Sequence, residues 1–109
     1  MESKALSEFV CEKIDDLKGR DIIVIDVAGR ASFTDYMVIC SGNSNRHVQS
    51  IAQNLIIESR ANGTEPLGVE GNDVGEWALV DLGDVVAHIM TDDCRDTYQL
   101  EKLWEQDEA

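Results

Sequence analysis

The chain has 109 residues, of which 43% are hydrophobic and 28% charged, as expected for one globular domain and not for a disordered chain. Its 22 acidic and 9 basic residues give a formal charge of −13 at pH 7, which disfavours direct binding to DNA or bare RNA because their phosphates would repel it. The same charge favours a basic surface as partner.

The amino-terminal stretch "MESKALSEFVCEKIDDLKGR" lacks the uninterrupted apolar run of a signal peptide, and no run in the chain reaches the length of a membrane span. Cys11, Cys40 and Cys94 form an odd set without a C-x-x-C pair, which predicts reduced thiols that pack as small apolar groups. Such thiols are typical of the cytosol or an organellar matrix. We therefore expect a cytoplasmic protein that does not enter a membrane.

The first third of the chain predicts a helix followed by two strands. The helix is amphipathic, and its apolar residues recur at three- and four-residue spacing: Leu6, Phe9, Val10, Ile14 and Leu17. Gly19 follows its end. The β-branched run "DIIVIDVAG" predicts a buried strand that ends at Gly29. After a turn at "ASFTD", the stretch "YMVICSG" predicts the second strand.

The middle of the chain predicts a second helix, a short strand and a hairpin. The stretch "GNSNRHVQSIAQNLIIESRANG" indicates a helix that is capped by Ser44 or Asn43 and ends at Gly63. Its predicted buried stripe is Val48, Ile51, Ala52, Leu55 and Ile56. The proline and glycines in "EPLGVEG" favour a short edge strand. Residues 76–90 then form a hairpin that turns at "DLGD".

The last stretch, "DDCRDTYQLEKLW", predicts a single helix with Asp92 and Asp93 at its positive amino-terminal end. Its expected inner face is Thr97, Leu100, Leu103 and Trp104. The element order predicts an α/β fold with one mixed five-stranded sheet and three helices. We expect residues 1–109 to form a single domain with a frayed acidic tail at 105–109.

One strand–turn–helix junction is a candidate anion site. In "VICSGNSNRHV" a glycine turn precedes a helix, whose free amides and dipole can hold a phosphate, with Arg46 as a further ligand. The stretch lacks the second and third glycines of a dinucleotide fingerprint and the lysine of a P-loop. The favoured interpretation is a helix cap with Arg46 and His47 partly exposed. A nucleotide-dependent enzyme that uses Gly42–His47 stays open as an alternative.

Catalytic side chains do not form a recognisable pattern in the sequence. Metal-dependent nucleotidyl transfer needs convergent carboxylates, whereas Asp81 and Asp84 flank a hairpin turn, where they are expected as turn residues. The two histidines, His47 and His88, have no sequence context that marks a catalytic triad. One conceivable metal-ligand set lacks a recognised spacing: His88, Asp92, Asp93 and Cys94. The sequence therefore predicts a protein that is not an enzyme and needs no cofactor or metal.

The hairpin is the candidate interaction site, because both of its faces are apolar. Alternation along the strands puts small and branched side chains, suited to packing against helices, on one face: Ala78, Val80, Val85, Ala87 and Ile89. The opposite face carries Trp77, Leu79, Val86, His88 and Met90. Aromatic and methionine side chains within an acidic rim are typical of protein interfaces. The predicted partner-binding residues are Trp77, Leu79, Asp81, Asp84, His88 and Met90.

The residues of this face do not by themselves identify its occupant. It could equally be covered by the chain's own first helix or by a second copy in a homodimer.

Several motifs along the chain, taken together, indicate a known family. They include "TDY", "SGNSNRHV", "PLGVEG", "VDLGDVVAHIM" after a tryptophan, and "LEKLW". With these motifs, residues 4–104 resemble the ribosomal silencing factor RsfS, or Iojap, family. The resemblance covers nearly the whole chain without a large insertion or a missing block.

The resemblance implies an α/β fold related to nucleotidyltransferases but without their catalytic acids. It also implies binding to the large ribosomal subunit through ribosomal protein fourteen, on the face that meets the small subunit. The bound factor would sterically block subunit joining and repress translation under nutrient limitation or slow growth. Organellar relatives act in large-subunit assembly, and family members can form homodimers.

Overall fold

The computed structural model describes residues 1–105 as four helices and five strands. Their bounds are α1 Ser3–Asp16, β1 Arg20–Asp26, β2 Tyr36–Gly42, α2 Asn45–Ala61, β3 Gly68–Glu70, β4 Trp77–Asp81, β5 Val85–Thr91, α3 Asp92–Tyr98 and α4 Leu100–Glu105. None of the helices in this range is long and apolar enough to cross a membrane. Most of the expected acidic tail, residues 106–109, lies outside the described residues.

The five strands form one sheet in the order β1-β2-β5-β4-β3. The central strands β2 and β5 run parallel, and every other pair is antiparallel. This arrangement confirms the predicted mixed sheet. The short strand β3 lies at one edge, as its neighbouring proline and glycines predicted.

The apolar core lies between one face of the sheet and the helices α1 and α2. Each helix contributes the stripe expected from its spacing, with Val10 and Ile14 of α1 and Ile51 and Leu55 of α2 fully buried. The hairpin supplies Ala78, Val80, Val85, Ala87 and Ile89 to the same core. The predicted choice of hairpin face is therefore confirmed.

The ends of α2 are fixed by the residues that the sequence indicated. The Ser44 hydroxyl caps its amino terminus by accepting the His47 N–H at 3.1 Å. Beyond its carboxyl end, Gly63 has φ +83°, a left-handed conformation that glycine adopts without steric cost.

The prediction of a buried strand over 21–29 is wrong in two respects. Strand β1 ends at Asp26, and it occupies a sheet edge, where Val24 is 45% exposed. The apolar run is explained by the helix side of β1, where Ile22 packs against the core beneath α1. Among residues 1–105, β1 pairs with β2 alone. A β-branched run therefore does not by itself distinguish a central strand from a covered edge strand.

The prediction of one continuous carboxyl-terminal helix is also wrong. Gln99 adopts a left-handed conformation (φ 47°, ψ 47°), which ends α3 before α4 begins at Leu100. The expected inner face does not form, because Thr97 is exposed, Leu103 is 61% exposed and Leu100 is half-buried. The Trp104 side chain lies outside the described residues.

Candidate functional site

The predicted binding residues of the hairpin strands share the sheet face that points away from α1 and α2. Trp77 lies opposite Met90, Leu79 opposite His88, and Asp81 opposite Val86. Side chains of directly opposed residues project to the same face of a sheet. The strand register therefore groups these residues as the sequence predicted. We call the surface of Trp77, Leu79, Asp81 and Asp84 the hairpin face.

Exposure divides the six predicted binding residues into two groups. Trp77, Leu79 and Asp81 are half-buried and Asp84 is exposed, so all four offer surface to a partner. Met90 has no exposed surface and His88 only 6%. His88 and Met90 consequently lie beneath the hairpin face and offer almost no surface to a partner.

A hydrogen bond links the two layers of this site. The Trp77 indole Nε1–H donates to Nδ1 of His88 at 3.0 Å, and the two ring centroids are 5.9 Å apart. Because Nδ1 accepts this bond, the proton of the neutral imidazole belongs on Nε2. Burial lowers the pKa of His88 from 6.5 to about 4, so the ring is neutral at physiological pH. The imidazole thus orients Trp77 without carrying charge.

Tyr98 is a residue of this site that the sequence reasoning missed. Its ring centroid lies 5.0 Å from that of Trp77 at an interplanar angle of 47°, and the residue is 59% exposed. Tilted pairs at this distance are favourable aromatic contacts. Trp77 and Tyr98 therefore present a continuous aromatic surface.

The carboxyl-terminal segment that carries Tyr98 is fastened to the sheet by Arg95. Its Nη1 donates to the Ser41 hydroxyl at 2.9 Å, and its Nη2 lies 2.8 Å from Oε2 of Glu101. Arg95 and Glu101 are mostly buried, with 10% and 17% of their side chains exposed. The pair holds α3 and α4 in a fixed relation to β2, and so holds Tyr98 near Trp77.

The two acids of the hairpin turn have different surroundings. Oδ1 of Asp81 accepts the Gly83 N–H at 2.9 Å, which confirms Asp81 as a turn residue. Asp84 contributes its carbonyl oxygen, which accepts the N–H groups of Asp35 and Tyr36, each at 3.0 Å. The exposed carboxylate of Asp84 is the more available of the two for a cationic partner.

The glycine turn before α2 is occupied by structural contacts. Nδ1 of His47 accepts the Asn43 N–H at 2.8 Å, and its Nε2 lies 2.7 Å from the Leu17 carbonyl oxygen. The Asn43 amide oxygen accepts Nε of Arg20 at 2.6 Å. These contacts, with Arg46 exposed, match the expected helix cap and do not resemble a phosphate site.

The conceivable metal-ligand set does not assemble. Among residues 1–105, no group of three or more histidine, cysteine, aspartate or glutamate side chains could hold a metal ion. The cysteines have raised thiol pKa values because of burial, to about 12 for Cys40. Cys40 is a packing group of the core, whereas Cys11 and Cys94 are half-buried.

All 109 residues match the family described as "Ribosomal silencing factor during starvation", RsfS. The chain belongs to the RsfS family. The resemblance found in the sequence motifs is thereby confirmed, and with it a regulatory, ribosome-associated class of protein.

Relatives in the RsfS family align over most of this chain. The Haemophilus influenzae "Ribosomal silencing factor RsfS" is 51% identical over 100 residues, which cover 92% of this chain and 98% of that protein. A Chromobacterium violaceum crystal structure superimposes with a TM-score of 0.94 at 39% identity, covering 96% of this chain and 88% of that one. A mouse protein named "Mitochondrial assembly of ribosomal large subunit protein 1" is 40% identical over 88 residues, 78% of this chain and 39% of its own length.

Proposed function

We propose that this RsfS-family chain binds the large ribosomal subunit through ribosomal protein fourteen and sterically blocks joining of the small subunit. It would thereby repress translation under nutrient limitation or slow growth, without catalysing a reaction. The observation that carries the proposal is the aromatic pair formed by Trp77 of the hairpin face and Tyr98 of α3. Half-exposed aromatic side chains of this kind dominate the energetics of protein interfaces.

The charge of the chain supports a protein contact on the ribosome. A formal charge of −13 opposes contact with ribosomal RNA, whereas a basic ribosomal protein would attract it. The exposed carboxylate of Asp84 lies at the rim of the hairpin face. Charge would therefore steer the encounter, and the apolar surface would determine which basic protein is bound.

Each predicted residue takes a distinct role in this proposal. Trp77 is the aromatic anchor and Leu79 extends the apolar contact beside it. Asp81 and Asp84 face basic groups of the partner. His88 and Met90 act from below, His88 through its hydrogen bond to the Trp77 indole and Met90 as the buried neighbour opposite Trp77.

The name of the mouse relative supports a second role on the same subunit. It describes assembly of the mitochondrial large subunit, and we extend a role in large-subunit assembly to this chain. The proposal also includes a cytoplasmic location and an ability to form homodimers, in keeping with the family resemblance.

Calorimetric titration against purified ribosomal protein fourteen tests the proposed contact. We expect Asp84→Asn to weaken binding by a factor of about 1.4 to 5 at low salt, because an exposed ion pair contributes about 0.2–1 kcal/mol. The difference should vanish at high salt, where exposed charges are screened. Glu12→Gln, on α1 behind the sheet, is the matched control and should bind as the unaltered chain does. Absence of binding at micromolar concentrations would contradict the proposed partner.

A further inference from the structure

The edge of β1 carries backbone groups that no described strand pairs. Strand β1 is terminal in the sheet, and its only strand partner within residues 1–105 is β2. The Val27 N–H donates towards β2, to the Asp35 carbonyl at 2.8 Å. Since backbone direction alternates along an antiparallel strand, Ile25 and Ile23 also face β2, whereas Val24 and Asp26 direct their N–H and C=O outward.

Only the part of this edge around Val24 is open. At one end, the Asp26 carbonyl oxygen already accepts Nη2 of Arg30 at 2.6 Å. At the other end, the ladder is irregular between Arg20 and Ile23, and Asp21 has φ +51°. Bulges and blocked groups of this kind limit indiscriminate pairing along an edge strand. The site therefore accepts a short strand centred on Val24.

A groove lies directly beside the open backbone. It has a volume of about 400 Å³ and is lined by Lys4, Ser7, Glu8, Cys11, Val24 and Tyr36. Val24 lies on the helix side of the sheet, opposite Val38 of the core. A residue paired with Val24 would project its side chain to the same side, and hence into this groove. Backbone pairing beside a side-chain pocket is the usual arrangement for recognition by strand addition.

Charge indicates the chemistry of the incoming strand. Glu8 and Lys4 both line the groove, and the Asp21 carboxylate lies 3.8 Å from Arg20, so the charge next to β1 is mixed. The formal charge of −13 over the chain nevertheless favours a basic segment. We propose that β1 accepts an extended segment of another protein, with an apolar residue opposite Val24 and lysine or arginine on both sides. A second copy fits less well, because it brings the same charge of −13 and its own Arg30 bond at Asp26. This surface lies at the opposite sheet edge from β3 and does not depend on the proposed ribosomal contact.

Titration with a designed peptide tests the proposal. The probe is a peptide of alternating valine and threonine with two basic residues at each end, and the control peptide has glutamates in place of the basic residues. We expect the basic peptide to bind at least about tenfold more tightly than the acidic one. Val24→Pro removes the outward N–H without removing a bond to β2, and should weaken binding about tenfold or more. Val24→Thr keeps the N–H and should bind within about twofold of the unaltered chain.

Cysteine protection gives a second measurement, on the unaltered chain. Cys11 lines the groove, whereas Cys94 lies on α3. The bound basic peptide should slow maleimide labelling of Cys11 and leave that of Cys94 unchanged. Equal binding of both peptides, or unchanged labelling of Cys11 at saturating peptide, would overturn the proposal. The molecular mass of the chain in solution gives a further test. If this mass doubles as the concentration is raised, and Val24→Pro restores the mass of the monomer, the proposal is overturned and a second copy occupies the edge.

Discussion

Replacement of Trp77 by alanine is expected to weaken binding to the large ribosomal subunit at least tenfold, about 1.4 kcal/mol, while the fold is kept. The indole is half-buried and contacts the rings of Tyr98 and His88, so its truncation removes the larger part of the aromatic surface. It also leaves Nδ1 of His88 without its donor. We expect that loss to lower the free energy of unfolding by about 1–3 kcal/mol. Co-sedimentation with large subunits measures the binding, and circular dichroism measures the fold.

Two further variants test whether weaker binding is specific to the loss of the Trp77 side chain. Trp77→Phe retains much of the aromatic surface but not the N–H, so it should bind more tightly than Trp77→Ala. Ile57→Ala removes a side chain that is 51% exposed on α2, on the other side of the sheet from the hairpin face, so it should bind normally. If Trp77→Ala unfolds the chain, Trp77 belongs to the core. If it binds as tightly as the unaltered chain, the anchor lies elsewhere.

Acidification from pH 7 to pH 5 is expected to remove about 2 kcal/mol of stability through His88 alone. The pKa of His88 is lowered to about 4 in the folded chain by burial, against 6.5 when unfolded. The unfolded chain therefore takes up a proton below about pH 6.5, and the folded chain does so only near pH 4. The contribution of His88 is complete above pH 6.5 and is lost as the pH falls towards 4. Urea unfolding at several pH values measures it.

The variant His88→Asn isolates this effect from other titrating groups. Asparagine does not titrate, and its amide oxygen can take the place of Nδ1 as acceptor for the Trp77 indole. The variant should be less stable than the unaltered chain at pH 7, and the difference should shrink by about 2 kcal/mol at pH 5. If the free energy of unfolding falls equally in both proteins between pH 7 and pH 5, His88 is not buried as a neutral ring.

The sequence predicted those parts of the fold that depend on local patterns. Helical spacing located α1 and α2, and the Ser44 cap fixed the start of the longer helix. Alternation along the hairpin separated the core face from the hairpin face correctly. The edge position of β1 could not be derived in this way, because strand order depends on pairing between distant segments. The break at Gln99 was missed because its left-handed backbone is not marked by a glycine.

The sequence likewise predicted only part of the candidate site. Alternation identified Trp77 and Leu79, since strand phase follows from neighbouring residues. It did not reveal that Met90 is fully buried, because exposure depends on packing as well as on face. Tyr98 was missed because its contact with Trp77 depends on how α3 is held by Arg95 and Ser41, which no local pattern encodes.

Sucrose-gradient sedimentation of purified large and small subunits, with and without this chain, tests the proposed silencing function most directly. We expect the chain to migrate with the large subunit and to move material from joined ribosomes to separate subunits. The Trp77→Ala variant should need about tenfold more protein for the same effect. Unchanged joining of the subunits at saturating concentrations of the unaltered chain would contradict the account.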